Sequence, residues 1–150
     1  MAETYGFFDS TDGDERIYTS DDFNNIFESL FGDGFVGDAN SLRSVRSGFR
    51  ITVKPGCAFI NGHWYRNDTD KTLTASAPSS GVRFDRVVIQ LSHNRNIISL
   101  VLRQGTSTDP PALNDNAEFK ELAVCSLLVT TSGIQSVNDE RKFISLKGGQ

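Results

Sequence analysis

The chain predicts a mainly β fold: an antiparallel β-sandwich of about seven or eight strands preceded by one short N-terminal amphipathic helix. Three observations carry this prediction. Apolar residues alternate with polar ones in short runs, Phe49/Ile51/Val53, Val87/Ile89/Leu91 and Ile98/Leu100/Leu102, and period-two spacing between turn residues marks half-buried strands. An Asn61-Gly62 pair separates two further apolar runs, which is the strongest short-range hairpin signal. Only residues 19–31 carry a clear amphipathic helix spacing. With 150 residues the chain is about one domain built on a single core.

In order, residues 1–18 form an N-terminal arm, rich in Gly, Asp, Ser and Thr, with Tyr5, Phe7 and Phe8 as isolated anchors. Such an arm docks on another surface rather than building a core. The helix follows. Thr19 or Ser20 caps it, Asp21 and Asp22 place negative charge in its first turn, and Gly32 and Gly34 stop it. Phe23, Ile26, Phe27, Leu30 and Phe31 fall at i, i+3, i+4, i+7 and i+8, a single apolar stripe. The stripe either covers the sheet of its own chain, the favoured reading, or forms an oligomer interface with other copies.

Residues 35–46 read as a polar connection, and the β domain then runs to residue 143. Phe49, Ile51 and Val53 make a strand that Pro55-Gly56 breaks. The two-residue Asn61-Gly62 loop sets a register that pairs Ile60 with His63, Phe59 with Trp64 and Ala58 with Tyr65. Residues 71–74 form a short strand. Residues 82–105 form two long strands around a polar turn, with Arg83, Asp85 and Arg86 at their mouth. A proline-containing loop, residues 105–116, runs over the surface. Residues 119–130 are a nearly continuous apolar run suited to a central strand; helix is the competing assignment. Residues 134–137 make a last strand, and residues 144–150 read as a tail or the start of a linker, which points to a fragment of a longer protein.

Composition narrows the function classes. Fifteen basic against nineteen acidic residues give a net charge of −4, and no basic run exists, which argues against a nucleic-acid or anionic-membrane partner. No apolar stretch approaches the roughly 20 residues needed to span a bilayer, and the N-terminus lacks the features of a secretory signal. Cys57 and Cys125 are the only cysteines and read as buried free thiols, although a disulfide between sheets is compatible with the sequence. Neither they nor His63 and His93 offer the close ligand pairs of a zinc site, so no metal and no cofactor are expected. The acidic run between Asp9 and Glu15 departs from calcium-loop spacing and reads as a solvated turn. No nucleophile elbow, phosphate loop or zinc-protease motif is present, and no catalytic residue is assigned.

Two constellations remain. Asp85 shares a strand face with Val87, Ile89 and Leu91, so it points inward and needs a partner. Arg83, Asp85, Arg86, Asp139 and Arg141 are therefore expected to form one structural charge network joining the start of the hairpin to the C-terminal motif. Trp64 and Tyr65, beside a turn, could stack on a saccharide, although packing is the favoured role.

The order of these motifs resembles the N-terminal attachment domain of tail-fibre, baseplate and receptor-binding proteins of bacteriophages and prophages, especially those infecting Gram-positive bacteria. The residues that carry the resemblance are Tyr18-Thr19-Ser20-Asp21-Asp22-Phe23, Val53-x-Pro55-Gly56-Cys57-Ala58-Phe59-Ile60-Asn61-Gly62-x-Trp64-Tyr65, Arg83-Phe84-Asp85-Arg86-Val87-Val88, Arg103-Gln104-Gly105 and Asp139-Glu140-Arg141. The resemblance implies a virion tail protein made in the host bacterial cytoplasm. It implies assembly with itself, commonly as a homotrimer, and with other phage tail or baseplate proteins, while a separate domain binds the host-surface saccharide. A carbohydrate-binding module that recognises cell-wall saccharides is the alternative.

Overall fold

A computed structural model describes residues 3–147; residues 1–2 of the predicted arm and residues 148–150 of the predicted tail lie outside the described residues. Helix α1, Ser20–Leu30, is followed by ten strands: β1 Gly34–Val36, β2 Ser44–Ser47, β3 Arg50–Val53, β4 Gly56–Ile60, β5 His63–Asn67, β6 Lys71–Thr74, β7 Val82–Ser92, β8 Ile97–Gln104, β9 Phe119–Thr130 and β10 Gly133–Asp139. They form three antiparallel sheets with orders β1-β4-β5, β2-β3-β6 and β10-β9-β7-β8. The predicted mainly β fold with a leading helix is present, with ten strands in place of seven or eight. The additional strands β1 and β2 lie within or beside the segment read as a polar connection. Each is only three or four residues long, too short for periodicity to reveal.

The four-stranded sheet is the largest unit. Strand β7 pairs with β9 along its whole length, from Val82 opposite Thr130 to Ser92 opposite Phe119. The register shifts between Val87, opposite Cys125, and Val88, opposite Ala123. Val124 is thus the extra residue of a β-bulge. The bulge admits both Val124 and Cys125 to the core, and the Val124 carbonyl accepts a hydrogen bond from the Glu140 amide at 3.0 Å. Strand β9 is the central strand that residues 119–130 predicted.

One core unites the three sheets. Phe35, Ala58 and Ile60 come from the first, Ile51 and Val53 from the second, and Val87, Ile89, Val124, Cys125, Leu127 and Val129 from the third. Burial of each such side chain contributes about 1.5–3 kcal/mol. The C-terminal segment closes over β1: the Phe35 amide donates to the Lys142 carbonyl, and the Ile144 amide to the Phe35 carbonyl.

The Asn61-Gly62 hairpin has the predicted register in full, with φ of 54° at Asn61 and 76° at Gly62, as a type I′ turn requires. Helix α1 lies over it. A Cβ on Gly62 would stand 2.2 Å from the Asn24 carbonyl oxygen of the helix, so this turn must be glycine for two independent reasons. Gly62→Ala combines left-handed strain with a backbone clash and is expected to lower unfolding stability by about 2 kcal/mol or more, read as a lower urea midpoint at unchanged slope.

Candidate functional site

Charged side chains at the ends of the large sheet form separate pairs. On the core face of β7, the buried Asp85 accepts from Arg83 Nε at 2.6 Å and from Arg83 Nη2 at 2.9 Å. The same Nη2 donates to the Ser76 carbonyl at 2.7 Å. Asp85 therefore points inward and is paired, as the strand periodicity requires. Arg86 is the next residue and faces the opposite side of the sheet. There it grips Glu140 with Nε and Nη2 at 3.0 and 2.9 Å, and its Nη1 donates to the Pro111 carbonyl.

At the end of β10, Arg141 holds both carboxylate oxygens of Asp139, at 2.9 and 2.8 Å, and donates to the carbonyls of Ala39 and Ser41. Among the described residues no hydrogen bond joins this pair to Arg83 and Asp85, so the single network expected of these residues is three separate clamps. The reason is geometric. Arg83 and Asp85 share the core face of β7, whereas Arg86 on its other face reaches across β9 to Glu140, so the link between the hairpin and the C-terminal motif bypasses Asp85.

The back face of the sheet carries a fourth cluster that sequence reading missed. The buried Glu121 accepts from Gln90 Nε2 and the Asn114 amide, at 2.7 and 2.8 Å, and from Arg103 Nη1. Arg103 Nη1 also donates to the Ala112 carbonyl at 2.7 Å. With Arg86, these groups fasten the proline-containing loop across the back of the sheet. A charged residue within the apolar run 119–130 was the available signal, because a buried carboxylate demands donors. A further link joins the hairpin turn to β9: Asp33 accepts from the Asn61 amide at 2.7 Å and pairs with Lys120 at 3.3 Å. Burial pulls the Lys120 ammonium down, but Asp33, Asp115 and Glu28 outweigh it and hold its pKa above the ordinary value.

The remaining predicted residues divide between core and surface. Tyr65 packs against the core, and burial raises its hydroxyl pKa. Trp64, on the opposite face of β5, is 60% exposed. The two are not a shared saccharide platform, because neighbouring strand residues face opposite ways. Cys57 and Cys125 are both free. Cys125 is buried in the core and Cys57 is half-buried. Burial pushes the Cys125 thiol up to about 11, which leaves it protonated and unreactive near neutral pH. Among the described residues no group of three or more His, Cys, Asp and Glu side chains is placed to hold a metal ion, and no helix is long and apolar enough to cross a membrane.

The helix stripe is split. Phe27 and Phe31 pack on Phe59 of β4, with ring centroids 5.5 and 5.3 Å apart, so this half covers the sheet. Phe23, Ile26 and Leu30 stay 48%, 40% and 42% exposed. The Asp22 carboxylate accepts from the Thr19 amide at 2.7 Å and so caps the helix start. The arm lies along the exposed side: Phe7 stacks on Phe23 at 5.0 Å, and Tyr18 meets Phe7 edge-on at 4.7 Å. Arg16 sits over the rings of Tyr5 and Phe8 at 5.8 and 5.6 Å. Between arm and helix runs a groove of about 520 Å³ bordered by Tyr5, Phe7, Ile26 and Leu30. It is apolar along much of its length and open to solvent.

No family model matches the chain, and no curated protein is significantly similar to it. The candidate site is therefore defined by this surface alone, the aromatic face of arm and helix, which rests on Phe59 of β4.

Two predictions follow from the clamps. Asp85→Ala strands the Arg83 guanidinium, which is only 14% exposed, and is expected to cost about 3–5 kcal/mol in urea unfolding; an unchanged midpoint overturns the structural role. The hydrogen bond from Arg141 is the main reason that the Asp139 carboxyl lies below its ordinary 3.8, against a smaller opposing effect of burial. A value lower in the folded state means stabilisation that is complete above the unfolded value and is lost as pH falls through the folded one. The melting temperatures of the native chain and Asp139→Asn are expected to differ at about pH 6 and to converge as pH falls through the lowered folded-state value.

Proposed function

We propose that this chain is a virion structural module, the attachment domain of a bacteriophage tail-fibre, baseplate or receptor-binding protein, which joins that device to the phage tail and assembles with copies of itself. In this reading it works by holding surfaces together and has no catalytic role. Two things support it. The ordered motifs between Tyr18 and Arg141 resemble such domains along most of the chain. The structure supplies the observation that carries the reading: a helix with no buried residue, whose exposed apolar half is extended by an aromatic arm.

Exposed contiguous apolar surface of this kind marks an interaction site. A rigid β core with clamped loops fits a structural role, since long antiparallel pairing resists local opening. The exposed Trp64 favours a second reading, a saccharide contact, which would rest on that one ring because Tyr65 faces the core.

Light scattering on the purified chain at micromolar concentration tests the first reading. A mass near three times that of one chain is expected; a clean monomer overturns it. Binding of isolated host cell walls by the domain, abolished by Trp64→Ala, would instead support the second.

A further inference from the structure

One edge of the large sheet is left open. We propose that strand β8 is a pairing edge for a second copy of this chain. Two copies lie antiparallel through Ile97–Gln104, with Leu100 on the twofold axis, and join their four-stranded sheets into one. The contact is independent of the arm and helix, since no residue of β8 belongs to that surface, and it goes beyond the module proposed above.

Backbone geometry makes this edge available. Strand β8 lies at the end of the order β10-β9-β7-β8 and pairs with β7 alone. The Gly105 amide donates to the Phe84 carbonyl at 2.8 Å, so Gly105 turns its amide toward β7. Along an antiparallel ladder the backbone groups of successive residues alternate in direction. Arg103, Val101, Ser99 and Ile97 therefore turn inward too, and Ile98, Leu100 and Leu102 aim their amides and carbonyls away from the sheet. Among the described residues no backbone group pairs with these three on that side.

The other sheet edges are guarded. An exposed edge templates pairing with another chain unless it is short, charged, bulged or covered. The C-terminal segment covers β1 through the Phe35 amide and carbonyl. Strand β10 carries a bulge, and its Ile134 amide and carbonyl bond to the Gly48 carbonyl and to Arg46. Strands β2 and β6 have four residues each and carry Arg46 and Lys71; β5 has five and carries His63 and Arg66. Strand β8 lacks these devices. It has eight residues, no proline or lysine and no register shift, and Ile97, Ile98, Leu100, Val101 and Leu102 make it largely aliphatic. Its one charge, Arg103, is held by Glu121 and the Ala112 carbonyl.

The sequence of β8 is complementary to itself. Antiparallel pairing centred on Leu100 sets Ile98 opposite Leu102 of the second copy, Ser99 opposite Val101 and Ile97 opposite Arg103. Every outward backbone group of Ile98, Leu100 and Leu102 then gains a partner, and no like charges stand opposite each other. Ile98 and Leu102, which are half-buried and pack against the core, cover their counterparts on the other copy. A self-complementary contact of this kind closes at two.

Light scattering and cross-linking of the full chain test the contact. Raising the native chain from micromolar to near-millimolar concentration is expected to double the measured mass, because an interface of one strand is small and weak. Ile97→Lys, at an exposed position, sets lysine against Arg103 of the other copy and is expected to abolish the doubling; circular dichroism and the urea midpoint verify that it folds. Disulfides read the register. In a Cys57→Ser background, which removes the more accessible native thiol, Ser99→Cys and Val101→Cys chains are mixed in equal amounts. The mixture is expected to cross-link severalfold more than either chain alone. Facing Cα atoms lie about 4.5 Å apart at such a pair, whereas like positions are about 7–8 Å apart, beyond disulfide reach.

A mass that does not rise with concentration overturns the edge contact. So does a rise that Ile97→Lys leaves intact, or cross-linking no greater in the mixture than in either variant alone. A native chain that is monomeric at micromolar concentration and doubles above it overturns assembly through arm and helix but supports pairing through β8.

Discussion

Everything in this protein leans on the pairing of β7 with β9. Eleven consecutive positions of β7 face a partner in β9, and both faces of the resulting sheet are put to use. The front carries Val87, Ile89, Leu127 and Val129 into the core shared with the two smaller sheets. The back carries Arg86, Arg103 and Glu121, which bind the proline-containing loop through its backbone. Because side chains alternate along a strand, a slip of one residue would exchange these two sets. It would bury charges against apolar side chains, so the register is strongly specified.

The charged pairs are best understood as part of that specification. A buried ion pair adds little net stability over an apolar substitute, but losing one partner is costly. Glu121, on β9, penalises any register that separates it from Gln90 on β7 and Arg103 on β8, whereas Asp85 and Arg83, two apart on one strand, stay together in every register. The bulge at Val124 serves a related purpose: it bends the sheet where the C-terminal strand turns away and gives the Glu140 amide an acceptor. Glu140 then meets Arg86, and the chain end is returned to β1 and to the end of the helix, where the Lys147 amide reaches the Leu30 carbonyl.

This rigid body displays a soft edge. The arm and α1 touch the sheet through Phe27 and Phe31 and expose the rest of their aromatic surface. The contrast fits the assembly role proposed above. The core supplies a fixed frame, and the proposed assembly would use the arm and outer helix face, which touch the rest of the chain least.

Local regularities made much of this legible from residues alone. The Asn61-Gly62 register, the bounds of β6 and β9, the long β7–β8 hairpin, the helix and the inward Asp85 all follow from periods of 2 and 3.6 and from turn chemistry, which act over a few residues. Tertiary structure decided the rest. The short strands β1 and β2 form only because β4 and β3 lie beside them. The charges divide into separate clamps because Asp85 and Arg86, as strand neighbours, face opposite sides of the sheet. Glu121 finds Gln90 and Arg103 across neighbouring strands, a proximity that no spacing along the chain encodes. The helix stripe shows both causes together: its apolar spacing is a property of the sequence, but which half faces the sheet was decided by the position of Phe59 beneath it.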